Sequence, residues 1–200
     1  MNPQLAASLR PEVRVTGARG LLPRGERYSL PAYVLGSLLR LRCHTAGAVA
    51  RLRGRPGPRL EPRGGEIHLG HDVGLYPGVR LSCQPGARIT VGDGTYLNRR
   101  TLVHAEQEVV IGAGCMVAWD VVITDTQGFG DRPGTGEVKP VHVGDGAWIG
   151  AKAVLLAGAD VGAGAVVAAG AVVDGPVDPG EIVAAKPART VFVLPGGTDG

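Results

Sequence analysis

Aromatic residues are scarce: phenylalanine, tyrosine and tryptophan together make up 4% of the 200-residue chain. A core built on large rings is excluded, so any core must be narrow and aliphatic. Cysteine is rarer still. Cys43, Cys83 and Cys115 form an odd set with no C-x-x-C spacing, which indicates neither a disulfide framework nor a zinc site. Buried or half-buried thiols are expected, and no metal. No apolar run is long enough to cross a bilayer, because the stretch near Tyr33 to Leu41 is short and broken by Arg40 and Arg42. The first thirty residues also lack an apolar run followed by a small-residue cleavage site. A cytoplasmic protein is expected.

What is present is glycine, 33 residues of it, which suits tight corners. Charged residues make up 20%, enough apolar content remaining for an ordered chain of one domain with a short appendage. The net charge of +3 hides an asymmetry. Residues 1–65 carry 12 Arg and Lys against 3 Asp and Glu, and the remainder carries 9 against 15. The basic segment reads either as a solvated arm or as a surface for an anionic partner such as an acidic carrier protein. No aromatic interleaving marks it for nucleic acid.

Along the chain, residues 1–28 show little periodicity. Val34, Leu38, Leu41, Thr45, Val49 and Leu52 fall at helical spacing, which predicts an amphipathic helix from Pro31 to near Arg53. Residues 54–65 are rich in Pro and Gly and read as a linker, closing a lead-in of residues 1–65. A repeat then begins. Leu69, Leu75 and Leu81 are six residues apart, as are Val91, Leu97 and Val103, then Ile111, Val117 and Ile123. The longest run is Val143, Ile149, Leu155, Val161, Val167 and Val173. Neither a helix nor a simple strand has a period of six. Short strands wound into a coil do, with one strand and one corner per hexad. Three hexads complete a triangular turn, so the fifteen aliphatic positions sort into five coils over residues 66–175. Between Ile123 and Val143 the count overruns, and a glycine-rich loop over 125–140 is thrown out from a corner. Loops that break a rigid repeat are where function concentrates. Pro176 and Pro179 are expected to end the repeat, leaving residues 176–200 as a closing segment.

The hexads, the extruded loop after Asp125, the sequence Val-Gly-Asp-Gly-Ala-Trp-Ile-Gly over 143–150 and Pro187-Ala188-Arg189 together resemble the hexapeptide-repeat acyltransferases. The nearest branch is similar to the galactoside and maltose O-acetyltransferases. The resemblance covers about residues 66–190. It implies an all-β fold, a left-handed parallel β-helix, and a homotrimer with sites between subunits. It also implies an acyl group, acetyl in the nearest branch, taken from coenzyme A and passed to a hydroxyl or amine of a sugar or other small molecule. Trp148, Gly150, Lys152, Ala168, Lys186 and Arg189 then line the donor groove, and Asn98 matches an asparagine of the acceptor pocket.

Acyl transfer from a thioester needs a base for the acceptor's proton and a donor to the developing oxyanion. In the family the base is a histidine in the extruded loop. Here no histidine occurs between Asp125 and His142. His104 is the candidate replacement, since coil register places it beside Thr124, under the root of the loop. His142 falls on a different face. Gln127 does not titrate usefully, but its amide can orient an acceptor or hold an oxyanion. Asp125 either positions a histidine or caps a corner. Two alternatives remain open: a carrier-protein donor docked on the basic segment, and a catalytically silent β-helix trimer. A carbonic-anhydrase-like β-helix would need several histidines converging on a metal, and their spacing does not suggest it.

Overall fold

A hexad leaves room for only two to four extended residues before the next corner, so the strands must be short and must pair with strands of neighbouring coils. In a computed structural model, which describes residues 51–52, 57–127 and 136–185, three parallel sheets of seven, six and six strands form a solenoid. The architecture is a left-handed parallel β-helix. The described residues contain no helix, hence none long and apolar enough to cross a membrane. The first sheet runs through Arg51–Leu52, Gly74–Leu75, Tyr96–Leu97, Met116–Val117, Trp148–Ile149, Val166–Val167 and Ile182–Val183. The second holds Arg59–Pro62, Arg80–Cys83, Leu102–Ala105, Val122–Thr124, Val154–Leu155 and Val172–Val173. The third holds Glu66–Leu69, Arg88–Val91, Glu108–Ile111, Val141–Val143, Asp160–Val161 and Pro176–Val177.

The aliphatic residues six apart stack in three inward columns. Leu75, Leu97, Val117, Ile149 and Val167 pair in register along the first sheet. Leu81, Val103, Ile123, Leu155 and Val173 do so along the second. Leu69, Val91, Ile111, Val143 and Val161 fill the third. All are buried, each contributing roughly 1.5–3 kcal/mol relative to exposure. Small residues at the corners let successive backbones touch. A Cβ on Gly150, for example, would lie 2.5 Å from the Ala169 nitrogen.

The five coils anticipated from the hexads are present, and the repeat extends beyond them at both ends. Arg51–Leu52, expected at the end of a helix, is a strand paired with Gly74–Leu75. The rest of that helix lies outside the described residues. Arg59–Pro62, expected in a structureless linker, pairs with Arg80–Cys83, Leu60 lying opposite Leu81. Pro62 is tolerated because this strand is at the end of its sheet, where a missing N–H breaks no ladder. Pro176–Val177 and Ile182–Val183 likewise continue the coil past the point where proline was expected to end it.

The outer faces differ in chemistry. Tyr96, Met116, Trp148 and Val166 follow one another on the first sheet, and Leu102, Val122, Val154 and Val172 on the second. The third sheet instead presents Glu66, Arg88 and Glu108 in one row and His68, Thr90, Val110, His142 and Asp160 in the next.

Candidate functional site

Leu102–Ala105 alternates outward and inward, which turns His104 out of the core. It stands between Ser82 of the coil before and Thr124 of the coil after, the juxtaposition expected from register. Glu61 pairs with Ser82 one coil further back. Ser82 is outward-facing yet only 6% exposed, and its hydroxyl has no hydrogen-bond partner among the described residues. His104 Nε2 lies 3.8 Å from Glu106 Oε1, with both side chains less than one-fifth exposed. The buried Thr124 hydroxyl donates to the Thr126 carbonyl at 3.3 Å.

Asp125 is fully buried. Its Oδ1 accepts the N–H of Glu106 at 2.8 Å, and Oδ2 accepts those of Gln107 and Glu108 at 2.6 and 2.7 Å. Of the two roles expected for it, this is corner capping, applied to the coil below. The loop then leaves as a hairpin. Thr126 bridges Val138 antiparallel, and the Asp125 carbonyl accepts the Lys139 N–H at 2.9 Å. Gln127 is exposed at the loop root, its backbone N–H donating to the Glu137 carbonyl at 3.2 Å.

The other candidates gather at the corner between the first and second sheets. Asn98, Ala118, Gly150 and Ala168 follow successive strands of the first sheet, each N–H donating to the coil above. Asn98 Oδ1 accepts the Arg99 N–H at 2.8 Å and so shapes its own turn. Asn98 enters the second sheet and His104 nears its exit, so one chain does not bring them together. Trp148 and Trp119 are each 50% exposed beside this corner. Lys152 has a positive φ of 60°, as do Arg100 at 58° and Asp120 at 59°. Arg100 grips Asp120 with two hydrogen bonds of 2.6 and 2.7 Å, and Lys152 Nζ lies 3.9 Å from the same carboxylate. The Arg100 guanidinium holds the Asp120 carboxyl below its usual range. His142 stands apart on the third sheet, 4.0 Å from Glu108. Lys186 and Arg189 lie outside the described residues.

Sequence reasoning missed Ser82, Glu106 and Trp119. The first two carried a usable signal, Ser82 by falling opposite His104 once the hexads are registered, and Glu106 by following His104 at the spacing that returns to the same side of a strand. Trp119 occupies a corner position whose exposure no spacing rule fixes.

Residues 140–175 match the family of bacterial transferase hexapeptide proteins (six repeats). The chain carries the hexapeptide repeat over these residues. Its structure is similar to that of a hexapeptide-repeat-containing acetyltransferase from Vibrio cholerae, with 29% identity over 66% of this chain and 74% of that one and a TM-score of 0.50. It is also similar to AntD, an N-acyltransferase from Bacillus cereus solved with dTDP and 3-hydroxybutyryl-CoA. There the identity is 15% over 76% of this chain and 84% of AntD, with a TM-score of 0.61, a likeness of fold. The chain thus shares its coil with these two proteins, and its own chemistry rests on the side chains above.

Proposed function

We propose that this hexapeptide-repeat protein is an acyltransferase that moves an acyl group, acetyl in the simplest case, from coenzyme A to a hydroxyl of a sugar or another small hydroxylated molecule. The observation that carries the reading is His104, a half-buried imidazole set between Ser82 and Thr124 at the root of the extruded loop. Its neutral ring takes the acceptor's proton as the acceptor oxygen attacks the thioester carbonyl. The C–S bond breaks, an ester forms, and the proton leaves with the coenzyme A thiol. The Ser82 hydroxyl orients the acceptor, and Gln127 offers an amide at the same corner.

The donor is assigned to the corner carrying Asn98, Gly150 and Ala168. Small side chains there leave backbone within reach of an extended pantetheine arm, Trp148 and Trp119 supply aromatic walls, and Lys152 a cation, with Lys186 and Arg189 as further cations for phosphate. The reading includes a trimer. The apolar outer faces of the first and second sheets are suited to burial against copies of the chain, and a ring of three would bring the His104 corner of one subunit to the Asn98 corner of the next.

Titrating coenzyme A into the protein in a calorimeter tests the donor. Saturable binding that weakens in Trp148→Ala is expected; no heat at millimolar coenzyme A contradicts the reading and turns attention to carrier-bound donors.

A further inference from the structure

We propose that Glu106 is the positioning residue of His104: it holds the Nε2 proton, so that the opposite ring nitrogen, Nδ1, is the one left to accept a proton. The use of that nitrogen rests on the acyl-transfer reading above, whereas the tautomer itself does not.

The geometry points to one carboxylate. Glu106 Oε1 faces Nε2 of His104 at 3.8 Å, beyond a hydrogen bond but within the span that unliganded catalytic pairs close on binding. Among the described residues, the two nearest other carboxylates are engaged elsewhere. Glu61, two strands away, accepts from Arg80 at 2.9 Å and from Arg63 at 3.1 Å. The Asp125 carboxylate is taken by three backbone amides. The strand neighbours Ser82 and Thr124 are neutral.

The corner is also built to hold Glu106 still. Asp125 clamps the backbone of Glu106, Gln107 and Glu108 from the coil above, so the carboxylate springs from a fixed root. Neutral imidazole carries one N–H, and a carboxylate beside one nitrogen draws the proton there. When the ring takes a second proton at Nδ1, the same carboxylate faces the new cation.

Two-bond 1H–15N correlation spectra of the 15N-labelled protein, at a pH where the ring is neutral, read the tautomer without substrate. The Nε2–H pattern is expected in the wild type, with the Nε2 proton resonance moved downfield by the Glu106 carboxylate, and that resonance is expected to move back upfield in Glu106→Ala, where only the ring's own preference for Nε2–H remains. An Nδ1–H pattern in the wild type, or an unmoved Nε2 proton resonance in folded Glu106→Ala, overturns the proposal. In turnover, Glu106→Gln is expected to lower kcat about tenfold or more with the KM for the donor unchanged. A folded wild type that transfers no acyl group would sink the acyl-transfer reading and leave the tautomer result standing.

Discussion

Asp125 shows how much one side chain fixes in a solenoid. A buried carboxylate normally needs a cation, yet this one is satisfied by three N–H groups of a single corner, the arrangement in which charge-assisted hydrogen bonds are strongest. Replacing it with alanine leaves those amides without an acceptor. Asp125→Ala is therefore expected to destabilise the protein by about 3 kcal/mol, read from urea unfolding, and to lower turnover through the displaced Glu106. An unchanged unfolding midpoint would show that the corner holds itself. The buried cysteines make a contrasting case. Burial pushes the Cys83 and Cys115 thiols up, and both lie inside the coil with Sγ donating to a backbone carbonyl. They are packing residues, as their lack of spacing implied. At this scale His104 was legible, because register alone fixes which residues lie beside it. The shielding of Ser82 was not, since it depends on how far its column neighbours Glu61 and His104 cover an outward position.

At the scale of the element, the corners that follow Leu75, Leu97, Val117, Ile149 and Val167 of the first sheet each turn through a left-handed residue. Gly78 and Gly170 fill that position in outer coils, but Arg100, Asp120 and Lys152 fill it in the three between. A non-glycine residue there costs roughly 1–2 kcal/mol, which the ion pairing along the ladder offsets in part. Arg100 lowers the Asp120 carboxyl from its ordinary value of 3.8. A depressed carboxylate contributes stability that is fully present above its unfolded value and is lost as pH falls through the lower folded value. The stability difference between wild type and Asp120→Asn is thus expected to be constant near neutral pH and to shrink as pH falls below the ordinary carboxylate value of 3.8. Thermal unfolding across that range measures it, and a difference that persists in acid contradicts the ladder. Element boundaries were legible where the count of six held. They were missed where the corners vary, nine residues separating Leu60 from Leu69 and only four separating Val173 from Val177.

For the whole molecule, the contrast between faces bears on the proposed trimer. Tryptophan, methionine and valine on the first sheet are poor company for water, while the third sheet carries paired charges such as Arg88 with Glu66. A trimer is expected to sediment at three times the 20.5 kDa chain mass, and Met116→Glu is expected to shift it toward monomer. A monomeric wild type would leave the His104 and Asn98 corners apart and contradict the shared site. The periodicity made the coil readable from the sequence, yet the likeness of coils between proteins says little about which hydroxyl is acylated, because the acceptor meets loops and outward side chains.

The central claim is that His104 takes the acceptor's proton during acyl transfer. Its most direct test is release of the coenzyme A thiol from acetyl-coenzyme A across a panel of hydroxylated and amino sugars, comparing wild type with His104→Ala. The account predicts turnover by the wild type and a loss of kcat of about 100-fold or more in the variant, with donor binding retained. Equal turnover by the two proteins, or none by the folded wild type, would contradict it.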